Sequence, residues 1–215
     1  MKVTTIIRTH EREKRLGICL KSIADCGYED LHVIIISDNP KDPVEKVVDS
    51  IEWKHKLDWD RFQPNPQSWP PNDYFNQIHH LVKGQYITYI DDDDKVLDSN
   101  YYEEIKEAAK TNPNMIIWKA NLGRLYTGSR DTIIPEPKNF NRRPVLSHFS
   151  TLNMGVKSDL AKTLKWPARK GGDGLFAAIF WDKYVGKNRE NVVFINKVIT
   201  STQNGLSTHK RGRKR

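Results

Sequence analysis

The chain has 215 residues, of which 37% are hydrophobic, and a formal net charge of +8. That length suits one domain, no apolar run is long enough to cross a bilayer, and the opening MKVTTIIRTH lacks the long apolar segment of a signal peptide, so a cytoplasmic protein with no membrane span is expected. Five basic residues fall within the last six, KRGRKR, so the body is only mildly basic and residues 210–215 form a charged tail.

The first half alternates strand-like and helix-like segments. Residues 3–8, VTTIIR, read as a buried strand, and residues 13–27 as a helix, with Leu16, Cys19, Leu20 and Ile23 at helical spacing and Gly27 as its stop. The two cysteines, Cys19 and Cys26, lie seven apart on that helix, about 10 Å along its axis, which is too far for a disulfide. Zinc-type Cys/His spacing is absent. Residues 31–36, LHVIII, are a second strand, and residues 42–51 a helix opened by Asp42 and Pro43. A weak strand at 60–63 precedes a helix at 72–82, a strand at 84–90, a helix at 99–111 capped by Ser99 or Asn100, and a strand at 114–122. Residues 123–156 are less regular and suggest antiparallel or mixed strands; a glycine-led helix at 171–186 and one or two strands at 192–203 close the chain. Such alternation predicts an α/β domain with a mixed, mainly parallel central sheet flanked by helices. Ligands in such sheets collect beyond the carboxyl ends of the strands. Three strands end in polar sets there: RTHER, SDNPKD and DDDD.

The run Asp91 to Asp94 demands a physical reason. If the strand stays extended, Asp91 and Asp93 face one side and Asp92 and Asp94 the other. Like charges so placed hold on to a proton unless a cation sits between them. Carboxylate oxygens suit a hard divalent ion, and Mg²⁺ or Mn²⁺ takes one or two of them together with phosphate oxygens. The alternatives are a solvated acidic turn leading into the next helix, or a calcium site, although the ligand spacing of an EF-hand loop is absent.

In order, IIRTHER, SDNPKD, Asn76 placed eight residues before Gly84, and YIDDDDKVLD resemble the nucleotide-sugar-binding half of a family 2 glycosyltransferase of the GT-A (Rossmann-like) fold. Thr9 and Arg12 match the first segment, where Arg8 replaces the usual proline; Asp38 and Asp42 match the second; Phe75 stands where an arginine usually precedes the Asn. The resemblance implies residues 1–209 as one glycosyltransferase domain, with 1–110 the nucleotide-sugar half and 111–209 the acceptor half. It implies a nucleotide-sugar donor, UDP-linked, bound by Thr9, Arg12, Asp38, Asn76, Asp91 and Asp92. It makes Asp93 the direct ligand of a Mn²⁺ or Mg²⁺ ion and His209 a further ligand, unless that histidine is simply exposed beside the tail. In KGGDGLF, Gly172 replaces the first member of an acidic pair and Asp173 remains, as catalytic base or as the cap of the helix it opens. Gly171, Gly172 and Gly174 would let the backbone approach a sugar. The implied reaction is an inverting transfer.

The resemblance implies a glycan or a small molecule as acceptor. Glycosylation of hydroxymethylated DNA is a further option, drawing on the basic tail, on NRRP (141–144) and ARKGG (168–172), and on Trp166, Phe176 and Trp181 as stacking platforms for a flipped base. Two other classes compete. A nucleotidyltransferase would want a glycine-rich, lysine-bearing loop after the first strand, which RTHERE lacks. A non-enzymatic nucleic-acid-binding protein would have no use for acids clustered at strand ends.

Overall fold

The structure, a computed structural model, describes residues 1–64, 71–123, 132–136, 138–145, 149–169 and 171–203. Along the chain run β1 (Val3–Thr9), α1 (Glu13–Ala24), β2 (Leu31–Ser37), α2 (Val44–Asp49), β3 (Asp58–Phe62), α3 (Tyr74–Gln77), β4 (Tyr86–Asp91), β5 (Asp94–Val96), α4 (Tyr101–Ala108), β6 (Met115–Asn121), β7 (Ile133–Ile134), β8 (Met154–Lys157), α5 (Ser158–Ala161), α6 (Gly172–Tyr184) and β9 (Val192–Thr202). They form one mixed sheet in the order β3-β2-β1-β4-β8-β6-β9-β5, with β7 on β6. β1 pairs in parallel with β2 and β4, and β2 with β3; β8 is antiparallel to both β4 and β6. The irregular second half therefore supplies the antiparallel strands, as expected.

Alternation along the strands divides the core between the two faces. Ile7 and Ile35 point toward α1, α2 and α4, where Leu16, Val47 and Tyr101 meet them. Ile6 and Ile34 point toward α3, α5 and α6, among Phe75, Ala161 and Phe176. Covering both faces is what permits β1 and β2 to be nearly continuous apolar runs. Gly84 shows how closely β4 is seated on β1. A Cβ there would lie 2.3 Å from the Thr4 nitrogen, and the Gly84 N–H donates to Thr4 Oγ1 at 2.8 Å.

Two elements differ from the sequence reading. The helix expected at 72–82 is broken into a 3₁₀ turn at Pro71–Asp73, the single turn α3 and a 3₁₀ turn at His79–Leu81. Its α geometry fails at Ile78 (φ −100, ψ 0), because Asn76 is pinned to Trp166 on one side and Gly84 must reach Thr4 on the other. The short strand β5 follows the four aspartates directly and pairs with β9, Asp94 opposite Thr202. Of the one or two strands expected at 192–203 there is one, β9 (Val192–Thr202), shifted in register against β6 near Trp118 and Lys119. Both cysteines are free thiols, Cys19 buried and Cys26 partly so.

Candidate active site

The ends of β1, β2 and β4 open on a crevice of about 290 Å³, lined by Arg8, Thr9, His10, Arg12, Asp38, Tyr74 and Asp91 to Asp93. Three polar strand ends thus share one opening, because β1 lies between β2 and β4 in parallel register, with Arg8 level with Ile36 and with Asp91.

The extension assumed for the four aspartates does not persist. Asp91 ends β4, Asp92 and Asp93 turn, and Asp94 opens β5. Asp92 is buried, 1% exposed, and accepts from Thr9 Oγ1 and Arg12 Nη1, each at 2.8 Å. It orients Thr9 and Arg12, with one hydrogen bond on each of its oxygens. Asp91, Asp93 and Asp94 instead converge, with one carboxylate oxygen from each within 4.8 Å of the others. The turn is locked from β9: the Gln203 amide donates to the carbonyls of Arg15, Asp92 and Asp94 at 3.0, 2.9 and 3.0 Å, and its backbone N–H to that of Asp93 at 2.7 Å. Nothing local in the sequence announces Gln203, which meets the turn only through the pairing of β5 with β9.

Burial raises the Asp94 carboxyl well above the usual range, and repulsion from Asp91 and Asp93 adds to it. Burial also raises Asp92, against the pull of Arg12. Converging oxygens with a buried acid among like charges fit a hard divalent cation, so Mg²⁺ or Mn²⁺ suits this set. Guanidiniums already stand around it. Arg8 forks onto Asp91 through Nε at 2.8 Å and Nη2 at 2.7 Å, and Arg12 and Arg15 approach Asp93 at 3.6 and 3.4 Å. Arg8 occupies the place where the resemblance expects proline, and its guanidinium lies 4.8 Å from the ring centre of Phe75, the position where the resemblance expects arginine.

Asp38 faces the crevice, paired with His10 Nδ1 at 2.5 Å and accepting from the Tyr74 hydroxyl at 3.4 Å. The bond to Asp38 raises the His10 pKa. Asp42 is structural: it is buried and accepts from the Ser37 hydroxyl at 2.7 Å and from the Glu11 N–H at 3.1 Å. Asn76 is committed elsewhere, accepting from the Trp166 N–H at 2.7 Å and donating to Asp73 at 2.9 Å.

Asp173 is the second residue of α6, and the cap position belongs to Gly171 at φ 73, so Asp173 does not cap this helix. Burial raises its pKa; the Gly174 N–H and Arg8 oppose the rise, and repulsion from Asp91 adds to it. Asp173 therefore stands within electrostatic reach of Asp91. Gly172 needs its missing side chain for a reason other than a sugar: a Cβ there would lie 2.4 Å from both Asn72 Nδ2 and the Pro167 carbonyl oxygen. The aromatic stacking platforms are overturned as well. Trp166, Phe176 and Trp181 are 2%, 0% and 4% exposed, and the Trp166 and Phe176 rings stack on each other at 4.0 Å. Of the basic NRRP segment, Arg143 is taken up by Asp182 at 2.7 and 2.5 Å. His209 and the tail 210–215 lie outside the described residues. Among the described residues, no helix is long and apolar enough to cross a membrane.

Comparison with known proteins agrees with this architecture. A relative from Campylobacter jejuni subsp. jejuni, GalNAc(5)-diNAcBac-PP-undecaprenol beta-1,3-glucosyltransferase, is 29% identical over 135 residues, covering 59% of this chain and 42% of the relative. Among solved structures, S. aureus TarS 1–349 in complex with UDP-GlcNAc superposes with a TM-score of 0.70 at 19% identity, over 94% of this chain and 58% of that one. The mannosyltransferase PcManGT from Pyrobaculum calidifontis, in complex with GDP-Man and Mn²⁺, gives 0.67 at 15% identity, over 96% and 58%. The chain thus spans less than half of the Campylobacter relative and under two thirds of each structural neighbour. At these identities the superpositions speak for the fold, which is GT-A. Residues 4–159 match the profile of Glycosyl transferase family 2, and the chain belongs to that family.

Proposed function

We propose that the crevice binds a UDP-sugar and transfers the sugar, with inversion, to a hydroxyl of a carbohydrate acceptor. The observation that carries this reading is the convergence of Asp91, Asp93 and Asp94 beside the nucleoside-sized opening formed by Thr9, Arg12 and Asp38. TarS in complex with UDP-GlcNAc and PcManGT in complex with GDP-Man and Mn²⁺ support a nucleotide-sugar and a divalent ion, and UDP is the nucleotide of the sequence resemblance. The glucosyltransferase named for an undecaprenol-linked glycan supports a sugar hydroxyl as acceptor. DNA as acceptor loses its stacking residues to the core.

Thr9, Arg12 and Asp38 take the nucleoside, with Asp92 holding Thr9 and Arg12 in place. Asp93 would be the principal ligand of Mg²⁺ or Mn²⁺, with Asp91 and Asp94 beside it and His209 as a further ligand. The ion, when bound, offsets the charge that builds on the departing diphosphate. Asp173 accepts the proton of the attacking hydroxyl, and a carboxyl raised by burial is a better base for that step.

Thermal melting tests the donor site. UDP with Mn²⁺ should raise the melting temperature more than the two separate gains together, and Asp93→Ala should abolish the excess. Asp173→Asn should keep that excess and lose transfer in a screen of UDP-, GDP- and TDP-sugars. No excess in the parent protein sinks the donor site, and lost nucleotide binding in Asp173→Asn sinks the base.

A further inference from the structure

Arg8 joins β4 to the segments that precede α3 and α6. From β1 it reaches Asp91 on β4, its direct neighbour in register, through two parallel hydrogen bonds. Its remaining terminal nitrogen, Nη1, donates to Asn72 Oδ1 at 2.7 Å. Asn72 Nδ2 then donates to the carbonyl of Arg169 at 3.1 Å, just ahead of α6. That carbonyl also accepts the Gly172 N–H at 3.0 Å, and Gly172 is packed so closely on Asn72 that it has no room for a Cβ. Asp173 follows. The guanidinium also stands within electrostatic reach of both Asp91 and Asp173, two carboxylates that repel each other. Its plane is supported on the ring of Phe75. A planar fork with fixed donor directions suits this task in a way that a lysine ammonium does not.

We propose that Arg8 is a positioning residue: through Asn72 and the Arg169 carbonyl it fixes the start of α6, and with it Asp173, relative to Asp91. Its importance to sugar transfer rests on the function proposed above; the mechanical link does not. An ordinary ion pair between β1 and β4 would affect the stability of those strands alone. A link in series also controls a helix start on another element.

The test combines hydrogen exchange with kinetics. Arg8→Met removes the fork and keeps the apolar stem, Asn72→Ala cuts the next link, and Arg8→Lys keeps the charge without the fork. Each should speed exchange of the amides of residues 171–176 by about tenfold. Each should lower kcat by up to about 100-fold, as expected when a reacting group is displaced by about 1 Å, while KM for the donor changes by less than about threefold. The double variant Arg8→Met/Asn72→Ala should be no worse than the poorer single one, because a chain already cut is not cut further. Additive effects, wild-type exchange in Arg8→Met, or full rescue by Arg8→Lys would overturn the proposal. If the parent protein transfers no sugar, the functional reading fails, and the exchange data still decide whether Arg8 holds α6. Circular dichroism melts of Arg8→Lys and Asn72→Ala guard against a variant that merely unfolds, since either can carry the exchange test alone.

Discussion

Gly172→Ala asks how firmly the proposed base is seated. The new methyl would lie 2.4 Å from Asn72 Nδ2 and 2.4 Å from the Pro167 carbonyl oxygen, where ordinary contact begins at 3.4 Å. The shortfall is about 1 Å on a steep repulsive wall. Neither neighbour yields easily. Asn72 is tied to Arg8 at 2.7 Å and to the Arg169 carbonyl at 3.1 Å, and the Pro167 oxygen is backbone. The start of α6 must therefore move. Overpacking of this kind costs about 1–3 kcal/mol, which lowers the melting temperature by about 2–12 °C in a domain of this size. Asp173 moves with its neighbour, and a displacement of about 1 Å at a reacting group costs up to about 100-fold in rate. Melting, UDP affinity by calorimetry and kcat for transfer should be measured together, with Gly17→Ala as the control. Gly17 is also helical, and its Cβ would meet nothing nearer than Val47 at 3.8 Å, so that variant should be neutral or slightly stabilised, by about 0.5–1 kcal/mol. The expected pattern for Gly172→Ala is lower stability, lower kcat and unchanged UDP affinity. A Gly172→Ala protein with wild-type turnover would show that the position of α6 does not set the base.

Three further outcomes follow from the same geometry. His32 is buried between Thr4 Oγ1 at 3.1 Å and Asp60 at 3.0 Å, and burial lowers its pKa from 6.5. Thr4 Oγ1 already accepts the Gly84 and Lys83 N–H groups, so its hydroxyl donates to His32 Nδ1 and leaves Nε2–H for Asp60. The unfolded chain then takes up the proton first, so this stability is complete above pH 6.5 and is lost as the pH falls through that value toward the folded-state pKa; urea titrations from pH 7.5 to 5 should show a slope that flattens in His32→Gln, and an unchanged slope would refute it. Asp94→Asn keeps an acceptor for the Asp91 N–H and removes a buried charge, so in metal-free buffer it should gain about 1–2 kcal/mol. Because the folded-state pKa of Asp94 is raised, that gain should grow as pH climbs from 3.8 and shrink in acid; a variant less stable than the parent at neutral pH would count against the reading. Phe176→Ala should lose about 3–5 kcal/mol by urea denaturation, since its ring is stacked inside the core; a loss below about 1 kcal/mol would return Phe176 to the surface role that the structure denies it.

Much of this was legible in the chain because strand periodicity and strand ends are local. The runs VTTIIR, LHVIII and YITYI contain only what a doubly covered strand needs, and the polar sets after them had to meet once the strands ran parallel. What was not legible depended on distant pairing. The turn at Asp92 and Asp93 depends on β5 meeting β9 and on the Gln203 amide, more than a hundred residues away. The broken helix around Ile78 reflects the hold of Asn76 on Trp166, a contact across 90 residues. Phe176 and Trp181 looked available because GGDGLFAAIFW gives little sense of which face is covered: α6 is apolar around most of its circumference and is packed accordingly. Arg8 could be read only as a departure from a motif, since its partners come from β4 and from the segment before α3.

The same parallel pairing explains how a ligand-free fold tolerates four consecutive acids. Because β1 and β4 end together, the cations that follow β1 arrive where the acids that end β4 stand. Arg8 comes from the strand, Arg12 from the start of α1 and Arg15 from its first turn, and all three face the cluster. Three guanidiniums oppose the four carboxylates of the run, one short of a balance. A nucleotide diphosphate entering such a site adds negative charge where the guanidiniums are already engaged. It gains little from them unless Asp91 or Asp93 is relieved of its pairing, which would cost two good hydrogen bonds at Arg8. A divalent ion held by Asp91, Asp93 and Asp94 would remove that conflict, since it would attract the diphosphate and leave the arginine frame intact. On this balance UDP alone should bind weakly and Mn²⁺ alone weakly. The two together should bind cooperatively, and Asp94→Asn, which lightens the acid load, should narrow the difference between UDP alone and UDP with Mn²⁺. A difference as wide in Asp94→Asn as in the parent would mean that charge balance is not what couples ion to nucleotide.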